Sequence, residues 1–337
     1  MRGKRIVFAE PEVVRLEEFE FGNGQPGDGE VAIETQYSIL SAGTELAILR
    51  GTERWAPLPF VPGYGAVGRV TAVGDGERGV APGDRLLCYT PHASHSVSAG
   101  PPLRVPDDLD GKKAVFARMG AVAMTALRVS DAELGDCVAV TGLGLVGNLA
   151  AQLFRLSGCQ VIGIDPSARR REIAARCGTD HLLDPEAGDL RQAVADITDG
   201  EMCAAVVEAT GIPAVAEGAF RLAGKLGEVI LLGSPRGEYV SDITAVLNQT
   251  HLWNHGCVTV KGAHEWRYPV RRNPEQHVKH SIERNIGVLF QLMLDGKLDV
   301  TALITHVLSP TDCGAAYAGV RNEPDQYLGV VFDWSLV

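Results

Sequence analysis

The 337-residue chain is longer than a single hydrophobic core usually needs and points to two domains. Its 45% hydrophobic and 22% charged residues describe a soluble globular protein, and 31 basic against 42 acidic residues, a net charge of −11, argue against nucleic acid or an anionic membrane as the main partner. No apolar run reaches the roughly 18 residues that cross a bilayer, and Arg2-Gly3-Lys4-Arg5 leads into a strand instead of a signal peptide, so a cytoplasmic protein is expected.

Short strands punctuated by glycine and proline fill the first hundred residues, clearest at 30–35 and 68–73 and bounded by turns at 27–29 and 81–84. Near Asp110 the texture changes. Residues 112–129 are alanine-rich and helix-like, and strand and helix patterns then alternate through Gly262. Strands fall at 137–140, 161–164, 205–207 and 228–232, and such alternation builds a parallel sheet. Beyond Gly262 the chain turns polar and rich in His and Arg before a helix at 281–294 and a last strand at 327–332. Cys88, Cys137, Cys159, Cys177, Cys203, Cys257 and Cys313 are scattered without a C-x-x-C pair, which predicts reduced thiols packed as small hydrophobes and no structural zinc.

Within the alternating region, Gly142-Leu143-Gly144-Leu145-Val146-Gly147 falls between the strand at 137–140 and a helix-period segment, and a second strand beyond it ends at Asp165. Each glycine has a mechanical reason: a tight turn at Gly142, close approach of a pyrophosphate at Gly144, and helix-on-strand packing at Gly147. Amides at the helix start face the anion. Asp165 stands where a carboxylate accepts ribose hydroxyls and repels a 2′-phosphate, so NAD is expected over NADP. A lone glycine fingerprint is weak, but strand, turn, helix, second strand and acidic residue arrive here in order, and together they predict a Rossmann unit. Arg170 is a candidate to stack on adenine or reach the ribose; equally it is a solvated helix arginine, and the run Arg169-Arg170-Arg171 leaves room for NADP.

The order of a β-rich unit, a Rossmann unit and a short return resembles the medium-chain dehydrogenase/reductase superfamily along essentially the whole chain. Ser41-Ala42-Gly43-Thr44-Glu45 sits where zinc alcohol dehydrogenases of that family have Cys-Gly-Thr-Asp, and Pro62-Gly63-Tyr64-Gly65 sits where they have Gly-His-Glu. Residues 80–85 resemble the family's V-x-x-G-D-R-V turn, while Glu208-Ala209-Thr210-Gly211 and Leu232-Gly233-Ser234 look like its later cofactor-side motifs. The runs at 41–45 and 62–64 and the ending at 327–334 are similar to a branch that includes bacteriochlorophyllide dehydrogenases. The resemblance implies an α/β protein, a Rossmann doubly wound parallel sheet plus a β-rich GroES-like catalytic domain: 1–122 the first part of the catalytic domain, 123–263 the NAD-binding domain, and 264–337 the return that completes the first. It also implies a homodimer.

The departures from the family bear on chemistry. Where it supplies a thiolate and an imidazole to a catalytic zinc, this chain has Ala42 and Tyr64; the neighbouring carboxylate is Gly65, and a further ligand position falls on Ala121. Only Cys88 lies between Arg85 and Pro106, so the four-cysteine lobe of a structural zinc is missing. No metal is therefore expected, and hydrogen-bonding groups must replace it. Thr44 matches the family's proton-relay position, and its alternative is an N-cap of a helix beginning near Glu45. Tyr64 is a candidate donor to a carbonyl oxygen, or a half-buried aromatic filling the lost metal's space. Glu45 is a base if desolvated, or the partner of an arginine. His264, after a strand end that in the family passes the nicotinamide, is a proton-relay candidate or a structural histidine. His92 and His95 in one loop lack a third placeable ligand. By resemblance Thr125, Gly233 and Ser234 border the nicotinamide, and Thr210 belongs to a cofactor-side motif. The function expected is zinc-independent hydride transfer between NAD(H) and a small-molecule alcohol or ketone. An NAD(P)H-dependent enoyl or quinone reductase and a nucleotide-binding protein without turnover are the alternatives.

Overall fold

The computed structural model describes residues 2–22, 24–76, 79–273, 275 and 278–337. The chain divides into two units, one of Met1–Arg118, Val270–Gly296 and Leu303–Val337, the other of Met119–Pro269 and Lys297–Ala302.

In the first unit, Val31–Ile39 is the hub of a seven-stranded sheet: it pairs antiparallel with Ala66–Val73, His95–Ser98 and Gly329–Asp333, the first leading to Arg85–Cys88 and Leu103–Arg104 and the last to Ile304–Leu308. The expected strand at 30–35 runs on to Ile39 because it is paired there on both sides, Tyr37 and Ser38 against Val67 and Ala66, and Ile39 and Tyr37 against Val331 and Asp333 of the return segment. One group of buried side chains, Val31, Ile33, Val70, Leu86 and Cys88, fills one part of the interior. A second joins Ile6 and Phe8 from the hairpin Arg2–Glu10/Val13–Glu20 to Ile48, Tyr317, Phe332 and Trp334. Half of that second core comes from the last 25 or so residues in order of chain, so the return segment is a packing partner of the N-terminal hairpin rather than an appendage. The alanine-rich stretch at 112–129 forms two helices, Gly111–Ala114 and Ala117–Val129. Between them Val115 and Phe116 are both wholly buried, and a tight bond from the Phe116 N–H to the Lys113 carbonyl turns the chain there.

The second unit carries a six-stranded parallel sheet in the order His181–Leu183, Gln160–Ile164, Cys137–Thr141, Cys203–Glu208, Ala223–Leu231, Thr259–Gly262. Numbered along the chain this is 3-2-1-4-5-6, the doubly wound Rossmann arrangement, with the order reversing between Cys137–Thr141 and Cys203–Glu208. The inner strands are near-continuous apolar runs because both faces are covered: Val138, Ala139, Val140, Val161, Ile162, Val206, Val207, Val229 and Ile230 are all buried. Helices Leu145–Leu156, Ala168–Arg176, Leu190–Ile197 and Pro213–Ala219 make the crossovers. A sheet with this reversal leaves a crevice at the carboxyl ends of its two central strands, which is where such folds bind ligands.

Candidate active site

That crevice is built from glycine backbone. Gly142 takes φ +89°, a left-handed turn directly after Cys137–Thr141, and a Cβ at Gly147 would lie 1.8 Å from the Gly142 carbonyl oxygen, so the helix can pack on the turn only without a side chain there. Gly144 is different: a Cβ there would meet nothing within 4 Å, so the turn is open on the side where a ligand would approach. Helix Leu145–Leu156 starts at Gly144 with no side-chain cap, which leaves first-turn amides available to an anion. Leu145 and Val146 form that first turn. Asp165, buried at the end of Gln160–Ile164, braces the same turn: its Oδ2 accepts the Leu143 N–H at 2.7 Å and its Oδ1 the Ser167 N–H at 2.8 Å. Arg170 Nη1 stands 3.6 Å from Asp165 Oδ2.

On the other side of the switch point, the wholly buried Glu208 carboxylate accepts the N–H groups of Thr210 at 2.6 Å and Gly211 at 3.1 Å together with the Thr210 hydroxyl. The Gly233 N–H donates to the Glu208 carbonyl at 2.8 Å, which draws Gly233 and Ser234 to the same lip of the sheet. Residues 142–147, Asp165, Arg170, Thr210, Gly233 and Ser234 are thus gathered at one edge. Thr125 sits buried in Ala117–Val129 with its hydroxyl donating to the Ala121 carbonyl at 3.0 Å. His264 is an exposed residue just past Thr259–Gly262, its Nδ1 accepting the Trp266 N–H at 3.3 Å.

In the first unit, helix Ala42–Leu49 is preceded by Ser41 as its cap, which puts Thr44 inside the first turn instead of at the cap. One residue on, Glu45 is buried, 1% exposed, and its carboxylate is the centre of a polar network. Oε1 accepts the Ser41 backbone N–H at 2.9 Å; Oε2 accepts the Tyr317 hydroxyl at 2.5 Å and lies 3.1 Å from His92 Nε2. His92 Nδ1 lies 2.8 Å from Ser38 Oγ, which accepts the Trp334 indole N–H at 2.9 Å. Because indole only donates, a single proton arrangement closes this chain with a neutral ring: Trp334 to Ser38, Ser38 to Nδ1, and Nε2–H to Glu45. Glu45 therefore has a histidine and a tyrosine as partners, not an arginine.

Tyr64 stands beside this network. Its hydroxyl bonds Ser41 Oγ and is reached by the Thr44 hydroxyl. Arg118 stacks on its ring with the guanidinium carbon 4.6 Å from the centroid. Burial pushes the phenol above its ordinary value and Glu45 adds to this, while Arg118, Ser41 and Thr44 pull the other way. The net rise keeps the phenol protonated at neutral pH, a proton donor rather than a base. His95 bonds Ser94 Oγ at 3.0 Å and packs on Phe21, taking no part in the network around His92. Burial raises the Cys88 thiol to about 12, which leaves it an inert hydrophobe.

Sequence reasoning singled out Thr44, Glu45 and Tyr64, which this unit brings together. It missed Ser41, although that residue lies within the quoted run, and had no signal for Ser38, Tyr317, Trp334 and Arg118, which reach the cluster only through the tertiary fold.

Residues 27–103 match the alcohol dehydrogenase GroES-like domain and residues 146–272 the zinc-binding dehydrogenase domain. D-guloside 3-dehydrogenase of Escherichia coli K12 is 25% identical to 98% of this chain over its own full length. The 2-desacetyl-2-hydroxyethyl bacteriochlorophyllide A dehydrogenase of Rhodobacter capsulatus is 25% identical over 93% of each chain. Among solved structures, galactitol-1-phosphate dehydrogenase from Escherichia coli shares the fold with a TM-score of 0.84 at 19% identity, covering 98% of this chain and 99% of its own. The zinc of such enzymes does not suit the side chains here: Ala42 has no donor atom, Tyr64 holds its proton, and Gly65 brings no carboxylate. Among the described residues no three His, Cys, Asp or Glu side chains form a group that could hold a metal ion.

The buried tyrosine gives a pH test. Burial, and then the Glu45 charge, hold the Tyr317 phenol well above its ordinary value, so the folded protein keeps a proton that the unfolded chain gives up near pH 10. The resulting stability is complete below about pH 10 and is lost above it, with a slope of about 1.4 kcal/mol per pH unit. Urea unfolding across that range will show the loss, and Tyr317→Phe, though less stable at neutral pH, will show a shallower decline. Parallel alkaline slopes in the two proteins would refute this.

Proposed function

Because the chain belongs to the medium-chain dehydrogenase/reductase superfamily, we propose that it transfers a hydride between NAD(H) and an alcohol or ketone without a catalytic zinc. One observation carries the reading: a protonated Tyr64 phenol, bonded to the Ser41 hydroxyl with Thr44 beside it, occupies the position of the family's zinc-binding imidazole.

The residues of the crevice fit a dinucleotide. The open face of Gly144 and the uncapped amides of Leu145, Val146 and Gly147 would hold the pyrophosphate, with Gly142 and Leu143 forming the turn. Asp165 accepts the ribose hydroxyls with oxygen lone pairs its two amide bonds leave over, and Arg170 flanks it. Thr125, Gly233 and Ser234 would border the nicotinamide, with Thr210 on the cofactor side, in keeping with the family resemblance. When bound, the nicotinamide supplies a carrier that takes or gives two electrons as hydride.

Ketone reduction also needs a proton at the substrate oxygen. Tyr64 Oη donates it, and the Ser41 and Thr44 hydroxyls return one to Oη. Glu45 serves this path by fixing the Ser41 backbone rather than by taking the proton itself, and His264 is the second relay candidate. Since oxidation needs Tyr64 as the phenolate that takes the alcohol proton, a form its raised pKa disfavours, reduction is favoured at lower pH and oxidation at higher pH. Thr44→Ala, Tyr64→Phe and His264→Ala will separate these roles: with NADH and a panel of ketones, Tyr64→Phe is expected to slow turnover on the order of 10²-fold while NADH titration stays unchanged. Full turnover in all three variants sinks the reading, and turnover confined to enones or quinones with NADPH favours the reductase alternative.

With a dinucleotide bound, the Asp165 carboxylate would lie by the 2′ position and repel a phosphate there, although Arg170 offsets part of that charge. NADH is expected to bind about tenfold or more tightly than NADPH in fluorescence titrations, and Asp165→Ser to narrow the gap, about 1.4 kcal/mol being a factor of ten. Equal affinities in the unaltered protein would contradict the assignment.

The second unit also supports a homodimer. Among the described residues Thr259–Gly262 pairs on one side only, and Ile243, Leu247 and Trp253, large apolar side chains in the preceding stretch of chain, are each about 60% exposed. A second copy continuing the sheet covers both features. Light scattering should give twice the mass of 35.9 kDa, and Val260→Pro together with Leu247→Glu should reduce it to the monomer; a monomeric parent protein would refute the assembly.

A further inference from the structure

The departures at the family's metal position coincide with one feature that those departures do not themselves explain, a buried cation. Arg118, 3% exposed at the start of Ala117–Val129, lies between two tyrosine rings, its guanidinium carbon 4.6 Å from the Tyr64 centroid and 4.1 Å from that of Tyr89. Its Nε–H donates to the Tyr64 carbonyl at 2.9 Å, so the arginine grips that residue by backbone and ring together. Room for it depends on Gly65. A Cβ there would lie 2.5 Å from Arg118 Cγ, so any side chain at 65, the family's carboxylate included, would displace the arginine stem.

We propose that Arg118 is a positioning residue for proton transfer: its guanidinium, clamped between Tyr64 and Tyr89, fixes the Tyr64 hydroxyl against Ser41 and, as a stationary positive charge, makes that hydroxyl a stronger donor to the substrate oxygen. This rests on the role given to Tyr64 above. The charge logic is that of a metal site carried out by other means. A zinc stabilises negative charge as it develops on the substrate oxygen; here the same charge develops on a phenol hydrogen-bonded to that oxygen, with a guanidinium over its ring. As the carbonyl carbon accepts hydride, the carbonyl oxygen takes the Tyr64 proton, and Oη regains one from the Ser41 or Thr44 hydroxyl, which water replenishes. The charged and polar groups facing the phenol oppose one another: burial and Glu45 hold its proton on, whereas Arg118 is the largest influence pulling it off, ahead of Ser41 and Thr44. Gly65, Tyr64 and Arg118 are on this view a single exchange, in which a carboxylate, an imidazole and a metal give way to a gap, a phenol and a fixed cation.

The decisive measurement needs no substrate. Fluorine NMR of protein labelled with 3-fluorotyrosine, whose phenol is more acidic than that of tyrosine, reports Tyr64 directly, and Tyr64→Phe assigns its signal. Arg118→Met should move the Tyr64 titration upward by about one pH unit or more, as removal of an adjacent opposite charge does, and Arg118→Lys, which keeps a charge but loses the planar stack, should recover part of the shift. An unchanged Tyr64 titration in Arg118→Met overturns the proposal. Should that variant fail to fold, Tyr89→Leu, which frees one face of the guanidinium, must alter the Tyr64 signal or the proposal fails. Turnover of NADH with a ketone panel adds a cycle: Arg118→Met is expected to slow reduction about tenfold when Tyr64 is present and not at all in Tyr64→Phe. Equal slowing in both backgrounds means that Arg118 acts on the fold and not through Tyr64. Full activity of Tyr64→Phe alone removes the function proposed for the phenol, while the NMR titration still decides whether Arg118 tunes it.

Discussion

A carboxylate with 1% exposure is an unstable thing to build a domain around, and the first unit is organised by what Glu45 demands. Removing an ion from water is expensive unless hydrogen bonds replace the lost hydration. Three donors from three parts of the chain do so: the Ser41 amide, the His92 imidazole and the Tyr317 hydroxyl. His92 in turn needs Ser38, and Ser38 receives Trp334. The network therefore ties the helix Ala42–Leu49, the loop at 92 and the return segment into one closed set, in which each group is satisfied only if all are present. It also holds the backbone of Ser41, whose side chain is the partner of Tyr64.

The second unit repeats the device on a smaller scale. Glu208, with no exposure, curls its own loop by binding the amides of Thr210 and Gly211, and Asp165 does the same for Leu143 and Ser167. In both units, then, buried acids shape loops at the ends of regular elements, where backbone amides would otherwise lack acceptors. The negative charge that the composition shows in excess is in these places internal scaffolding, not surface.

The doubly wound sheet was legible because its signals are local: apolar runs of strand length, a glycine fingerprint between strand and helix, and an acidic residue closing the second strand. Boundaries were less so. The strand from Val31 continues to Ile39 because its end is paired on both sides, by Val67 and Ala66 and, from some 300 residues away in the chain, by Val331 and Asp333. The cluster in the first unit divides the same way. Thr44, Glu45 and Tyr64 stood out by their place in short runs, but Tyr317 and Trp334 reach Glu45 and Ser38 across 272 and 296 residues. Arg118 carried no mark at all, since the evidence for it is the space that Gly65 leaves. Thr44 was equally readable as a cap, and the helix starts two residues before it because Ser41 takes that place.

The path of the chain between the units has a consequence for how the protein is made. The first unit needs Leu303–Val337 for its second core, and those residues leave the ribosome only after the whole of Met119–Pro269. Synthesis from the N-terminus usually lets the leading domain fold first. Here the order inverts: the Rossmann unit has nearly all of its chain while the hairpin Arg2–Glu10/Val13–Glu20, made before it, still waits for Tyr317, Phe332 and Trp334 to complete its packing.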